Sequence, residues 1–130
     1  MQNIVKFLKD SIIFYLATVE DDQPRVRPMG FVMEYNGKIA FCTSNTKEMY
    51  KQMKKNPKIE LVACVDTKTL RITGEAEFIT SNDSQTKALD EMPMLKSVYA
   101  AGDGKFEIFA IKNPVASYIS MSGKRENIKL

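Results

Sequence analysis

Two stretches decide how this chain reads: Pro24-Arg25-Val26-Arg27-Pro28-Met29-Gly30-Phe31 and, one hairpin later, Phe41-Cys42-Thr43-Ser44-Asn45-Thr46-Lys47-Glu48. The first predicts a strand. Alternation puts Arg25 and Arg27 on one face, which continues through Met29, Phe31 and Met33 and so passes from cationic to apolar. Pro28 has no N–H to give a ladder, so this stretch belongs at an edge, a bulge or a barrel corner. The second predicts a return strand running into a helix, Asn45 to Lys55, with Asn45 as N-cap and Glu48 closing a capping box. Lys47 in that first turn opposes the helix macrodipole, a conflict that a bound dianion relieves. Thr43, Ser44 and Thr46 add hydroxyl donors. The plain alternative at each position is a polar cap with an exposed lysine and a solvated arginine pair.

Working outward, Asn36-Gly37 is a strong hairpin signal between strands from about Arg25 to Tyr35 and Lys38 to Thr43, because both residues tolerate positive φ. Asn56-Pro57 stops the helix. Upstream, Ile4, Phe7 and Leu8 predict an amphipathic helix over 2–9, and Ser11 to Val19 a strand. Downstream, Ile59 to Val65 is an apolar strand. In the next one Leu70, Ile72, Gly74, Ala76 and Phe78 alternate with Arg71, Thr73, Glu75 and Glu77. Asp83 to about Tyr99 predicts a helix broken near Pro93. Phe106 to Ile111 and Val115 to Ser120 predict two strands separated by Asn113-Pro114, and the tail from Ser122 is polar.

The chain has 130 residues, which suits one domain spanning 1–130, and a formal net charge of +3, which permits an anionic ligand without requiring nucleic acid. Histidine is absent, so imidazole metal sites and Ser-His or Cys-His nucleophile pairs are excluded. Cys42 and Cys64 lie in apolar contexts without Cys-x-x-Cys spacing and read as core thiols. No metal site and no catalytic acid, base or nucleophile is assigned. The N-terminus lacks a signal-peptide pattern and no apolar run is long enough to span a bilayer, so the expectation is a cytoplasmic protein with no membrane partner. Short strands at this spacing, six to seven of them with two to three short flanking helices, predict a mainly β antiparallel barrel.

The ordered set of arginine strand, Asn-Gly hairpin, Thr-Ser-Asn-Thr-Lys segment, Asn-Pro stop and alternating strand through Arg71-Ile72-Thr73-Gly74 resembles the pyridoxamine 5′-phosphate oxidase-like, FMN-binding split-barrel superfamily. It is most similar to the short bacterial general-stress and nitroimidazole-reductase-like members. The resemblance implies a split barrel binding FMN, or another flavin or a deazaflavin. It implies that Arg25, Val26, Arg27, Pro28 and Met29 line the coenzyme, and that Thr43, Ser44, Asn45, Thr46 and Lys47 hold its phosphate. Thr69 or Arg71 then approaches the ring, and the protein is a homodimer with coenzyme at the interface. The lack of histidine and tryptophan sets this chain apart from pyridoxamine phosphate oxidases themselves. The function implied is an oxidoreductase reducing a small-molecule acceptor, or else a non-catalytic flavin-binding sensor or carrier. A nucleic-acid-binding small barrel using Lys51, Lys54, Lys55 and Lys58 is a third reading, which a solvated helix face explains more simply.

Overall fold

Strands β5 (Lys58–Val65) and β6 (Lys68–Phe78) form the central hairpin, paired from Lys58↔Glu75 to Val65↔Lys68. Ile59, Leu61, Ala63, Leu70 and Ile72 all point to the dry side. A computed structural model describes all residues, 1–130, and builds outward from this pair. On one side lie β1 (Phe14–Glu20) and β2 (Gln23–Met29). On the other lie β7 (Phe106–Ser120), β4 (Lys38–Ser44) and β3 (Met33–Tyr35). The order is β2-β1-β5-β6-β7-β4-β3, every pairing is antiparallel, and β8 (Arg125–Ile128) adds to β7. The fold is therefore mainly β, eight strands in one curled sheet that does not close.

The expected continuous strand from Arg25 to Tyr35 is two strands. The chain leaves β2 at one edge of the sheet, passes through Gly30, Phe31 and Val32, and enters β3 at the other edge. Gly30–Val32 thus crosses the seam where the barrel stays split. Pro28 sits on the free edge, where its missing N–H costs no ladder bond.

Two cores flank β4. Its Ile39 and Phe41 face the barrel interior with Phe14, Leu16, Leu61, Leu70 and Phe109. Helices α1 (Gln2–Ser11) and α2 (Glu48–Lys55) plug that interior with Ile4, Leu8, Met49 and Met53. On the opposite face Ala40 packs with Phe31, Met33, Phe106 and Ile108 under α3 (Asn82–Glu91), through Ala88 and Leu89. A short 3-10 helix, Pro93–Ser97, follows, as the proline break predicted.

Asn113-Pro114 does not end a strand. β7 runs through it, with Asn113 at φ 52 and a register shift between Thr73 and Glu75 on the facing strand. Gly74 allows this bulge: a Cβ there would lie 2.4 Å from Ile111 Cγ2 and 2.9 Å from the Lys112 carbonyl oxygen. The bend lets the first half of β7 pair with β4 and the second half with β8. Sequence reading missed β8 because Arg125, Glu126 and Asn127 give an exposed edge strand no apolar alternation.

Candidate functional site

At the seam, register places Arg25, Arg27 and Met29 opposite Thr18, Leu16 and Phe14, and turns Pro24, Val26 and Pro28 to the outer face. The Arg27 guanidinium is half-buried. Nη1 donates to the Leu16 carbonyl at 3.0 Å and Nη2 to Gln52 Oε1 at 2.9 Å, an oxygen that also accepts from the buried Thr18 hydroxyl at 2.6 Å. Burial lowers the Arg27 pKa from the ordinary guanidinium value, yet the group stays charged. Arg25 turns to Glu20, Nη2 to Oε1 2.9 Å, near solvent.

The Thr43–Lys47 segment differs from the expected capped helix. Thr43 and Ser44 end β4, and Asn45 is no N-cap. Its amide Nδ2 donates to the Gly104 carbonyl at 2.9 Å and to Glu107 at 3.0 Å, tying the turn to the start of β7. The Lys47 N–H closes a turn on the Ser44 carbonyl at 3.0 Å. Lys47 is itself the N-cap, Glu48 is the first helical residue, and no side chain caps α2. The capping box is absent because its asparagine is engaged elsewhere. The first amides of α2 therefore lack a side-chain acceptor, beside a lysine that makes no ion pair. The Thr43 hydroxyl is buried without any hydrogen-bond partner, while Ser44 Oγ and Thr46 Oγ1 lie 2.7 Å apart.

Beside this helix start lies an open groove of about 430 Å³. One wall is the seam (Pro28, Met29, Gly30, Phe31), the floor holds Cys42 and Lys47, and the far wall is Met92, Met94, Leu95 and Tyr99, with Ile12 and Ile13 at the lip. Nine of its twelve lining residues are apolar and Lys47 is the one charged group, so the groove suits a flat apolar body with an anionic end. Burial pushes the Cys42 thiol up to about 11, with the Lys47 charge pulling back, so Cys42 is a neutral thiol rather than a nucleophile. Tyr99 stacks on Phe106 with ring centroids 4.4 Å apart, and its phenol is raised by burial and then by Cys42 and Asp103.

Of the residues expected at the site, the structure brings Pro28, Met29 and Lys47 to this groove, with Thr43, Ser44, Asn45 and Thr46 leading into it along the chain. It sends Arg27 toward α2, Val26 outward and Arg25 to Glu20. Arg71 lies on the outer face of β6, 2.5 Å from Glu60, and Thr69 Oγ1 is 3.6 Å from Cys64 Sγ. The register row Pro28–Tyr15–Val62–Arg71 spans three strand spacings, so Arg71 stands about 14 Å from the seam. Phe31 lies here as the apolar continuation of the Arg27–Met29 face, whereas Ile12, Ile13, Gly30, Cys42 and Leu95 were not expected. Of these five, only Gly30 had a signal in sequence, as an isolated glycine inside a strand pattern.

No helix is long and apolar enough to cross a membrane, and no cluster of three metal-ligating side chains is present. Residues 1–114 match the family model described as pyridoxamine 5′-phosphate oxidase. The chain belongs to that family. Among solved structures, a family relative described as a NimC/NimA family protein from Clostridium acetobutylicum is 36% identical, with a TM-score of 0.92 over 98% of this chain and 93% of that one. General stress protein 26 from Bacillus anthracis shares the fold at 17% identity and TM-score 0.77, over 98% and 97% of the two chains. So does a pyridoxamine 5′-phosphate oxidase-related, FMN binding protein from Nostoc punctiforme, at 16% identity and TM-score 0.67, over 99% and 96%. No curated protein matches. Within this family fold, the uncapped α2 start, its unpaired Lys47 and the apolar groove beside it fit a phosphorylated flat-ring coenzyme.

Proposed function

We propose that this protein is a cytoplasmic, homodimeric FMN-binding oxidoreductase that passes electrons to a small-molecule acceptor. The observation that carries the reading is the pairing of an uncapped helix start and its unpaired lysine with an apolar groove at the barrel seam. Lys47 and the first α2 amides hold the phosphate, helped by the hydroxyls of Thr43, Ser44 and Thr46. Backbone at Pro28–Gly30 lines the ring, and Arg27 adds a fixed positive charge behind that strand. Bound FMN supplies the two-electron chemistry; the chain binds and orients it.

The outer face supports the dimer. Tyr15, Val26 and Val115 are 48%, 69% and 69% exposed on it, with Ala17 and Val62 between. A second copy laid on that face buries these side chains and brings its own Thr69 and Arg71 toward the first copy's seam. The free thiol of Cys64, exposed to solvent, suits a reducing compartment.

One observation favours a second reading, a flavin-binding sensor or carrier: the groove offers a neutral thiol, a raised phenol and a lysine, but no carboxylate for acid–base work. Of the α2 lysines, Lys51 and Lys55 pair with Glu48 and Asp21, and Lys54 lies over Tyr50 and Phe78, which is how a solvated helix face uses its charges.

The test is the absorbance and mass of what the purified protein releases on denaturation. FMN is expected, and a colourless protein that ignores added FMN, or one showing a haem Soret band, overturns the assignment. Oxidation of a nicotinamide donor only when an acceptor is present separates the enzyme from the carrier.

A further inference from the structure

The arginines of this chain are paired where pairing matters little and left alone where it matters more. Arg25 and Arg71 lie near the surface and each meets a glutamate, Glu20 at 2.9 Å and Glu60. Exposed pairs of that kind contribute little. Arg27 is half-buried, yet its guanidinium meets only neutral oxygens: the carbonyls of Leu16 at 3.0 Å and Arg25 at 3.4 Å, and Gln52 Oε1 at 2.9 Å. The carboxylates on the two elements it bonds to are committed elsewhere, Glu20 of β1 to Arg25 and Glu48 of α2 to Lys51.

Gln52 is the residue that keeps this arrangement neutral. It lies on the buried face of α2 with Met49 and Met53. Its side-chain oxygen accepts twice, from Arg27 and, at 2.6 Å, from the hydroxyl of Thr18, which is buried too. Its Nε2 makes no hydrogen bond within the chain. A glutamate has the same shape, accepts both bonds through one oxygen, gives up no donated bond, and closes an ion pair with Arg27. Packing and hydrogen bonding therefore suit glutamate here at least as well as glutamine. The amide differs in charge: it fixes the guanidinium and leaves its positive charge whole. Such a cation is ready for an anion that the chain itself does not supply.

We infer that Gln52 is a positioning residue for the coenzyme phosphate, holding Arg27 in place without neutralising it so that the guanidinium adds to the field of Lys47. The inference rests on the flavin reading above. Gln52 follows Lys47 by five residues, about 7.5 Å along the helix axis. Arg27 thus acts on that corner over about one Debye length, partly through protein, where salt screens it less than it would in open water.

Two variants separate charge from structure. Gln52→Glu keeps the bonds and cancels the charge, whereas Gln52→Met removes the acceptor and keeps the charge. Melting temperature places Gln52→Glu level with or above wild type, and Gln52→Met below it, because the buried Thr18 hydroxyl loses its partner. FMN affinity takes a different order: wild type, then Gln52→Met, then Gln52→Glu, the last about tenfold below wild type with a gap that narrows as salt is raised. Riboflavin, which has the ring without the phosphate, binds wild type and Gln52→Glu alike. An FMN order that follows the melting order makes Gln52 purely structural and overturns the inference. So does an unchanged FMN-to-riboflavin ratio in Gln52→Glu, or a Gln52→Glu chain that does not fold. Inorganic pyrophosphate, read by its effect on melting temperature, is the probe that needs no flavin. If wild type ignores FMN, yet pyrophosphate stabilises it and not Gln52→Glu, the flavin reading falls and the role of Gln52 stands. A wild type that responds to neither overturns both.

Discussion

Helices α2 and α3 both begin at runs of small polar residues, Thr43-Ser44-Asn45-Thr46 just before one and Thr80-Ser81-Asn82-Asp83 opening the other, yet their first turns are capped in opposite ways. At α3 the chain satisfies itself. Ser81 Oγ accepts from the Ser84 N–H at 3.0 Å, Ser84 Oγ accepts from the Ser81 N–H at 2.9 Å, and Asp83 puts negative charge in the first turn. At α2 no side chain accepts from the opening amides and a lysine occupies the N-cap; Glu48, the acidic residue of that first turn, pairs with Lys51 instead of capping. A protein able to build a full capping box at Ser81 has left the helix start at Lys47 uncapped, with an unpaired lysine beside a groove. The difference teaches where to look for an anion: at the helix whose ends the sequence does not complete.

The sharpest way to break this comparison is to make α2 resemble α3. Lys47→Asp places a good N-cap at the N-cap position and removes the charge that opposes the macrodipole. Two effects of opposite sign are expected. Thermal stability rises by about 1 kcal/mol. FMN affinity falls by about a hundredfold or more, since one charge-assisted contact is lost and a carboxylate now faces the phosphate. Thr46→Ala with Lys47→Ala weakens FMN in the same direction and leaves the fold intact. Flavin titration together with a melting curve decides. Wild-type affinity in the double variant removes the phosphate from this corner.

A smaller effect reads the same corner through Cys42. Burial holds its thiol up at about 11 against the ordinary 9.0, and Lys47 pulls it back. A raised folded pKa means the thiol stays protonated in the fold after the unfolded chain has begun to ionise. Its contribution to stability is therefore full below pH 9 and is lost between pH 9 and about 11, of order 2 kcal/mol across that window. Cys42→Ala removes that slope from denaturation curves taken across the range. A dianion seated on Lys47 cancels its pull, so added FMN slows alkylation of Cys42 and leaves the exposed Cys64 unaffected. Equal slowing at both cysteines, or at neither, separates the bound anion from this lysine.

What sequence alone revealed follows the reach of the interactions involved. Asn36-Gly37 forms its hairpin, with φ 49 and 75, because a two-residue turn depends on those residues only. The alternation from Leu70 to Ile72 and the Asn56-Pro57 stop are local in the same way. Lys47, Pro28 and Met29 were named from residue type and from the family resemblance, and the fold places all three on one groove. The break at Gly30–Val32 was not, since it exists only because β4 pairs with β7 and carries β3 to the far edge. Asn45 looked like a cap until Gly104 and Glu107, about sixty residues away, took its amide. The far wall of the groove, Met92, Met94, Leu95 and Tyr99, comes from the 3-10 turn Pro93–Ser97 and its flanks, and Met94, 74% exposed, shows how little a methionine's burial can be inferred from its neighbours in sequence.

The smallest expected effect is the control that gives the others meaning. Ser81→Ala removes the acceptor for the Ser84 N–H at a helix end far from Lys47 in the chain. The expected loss is about 1 kcal/mol of stability, the usual size for a serine N-cap. Ser84 keeps its own bond to the Ile79 carbonyl at 3.0 Å, so the helix frays at its first turn rather than detaching from Phe106 and Ile108. FMN affinity is expected to stay at the wild-type value. If Ser81→Ala weakens FMN as strongly as the Lys47 variants do, the two helix starts are not separable, and the anion site cannot be the property of α2 alone. If it lowers stability and nothing else, the closed end is structural, the open end is reserved for a ligand, and the lysine that destabilises α2 has its explanation in what it holds.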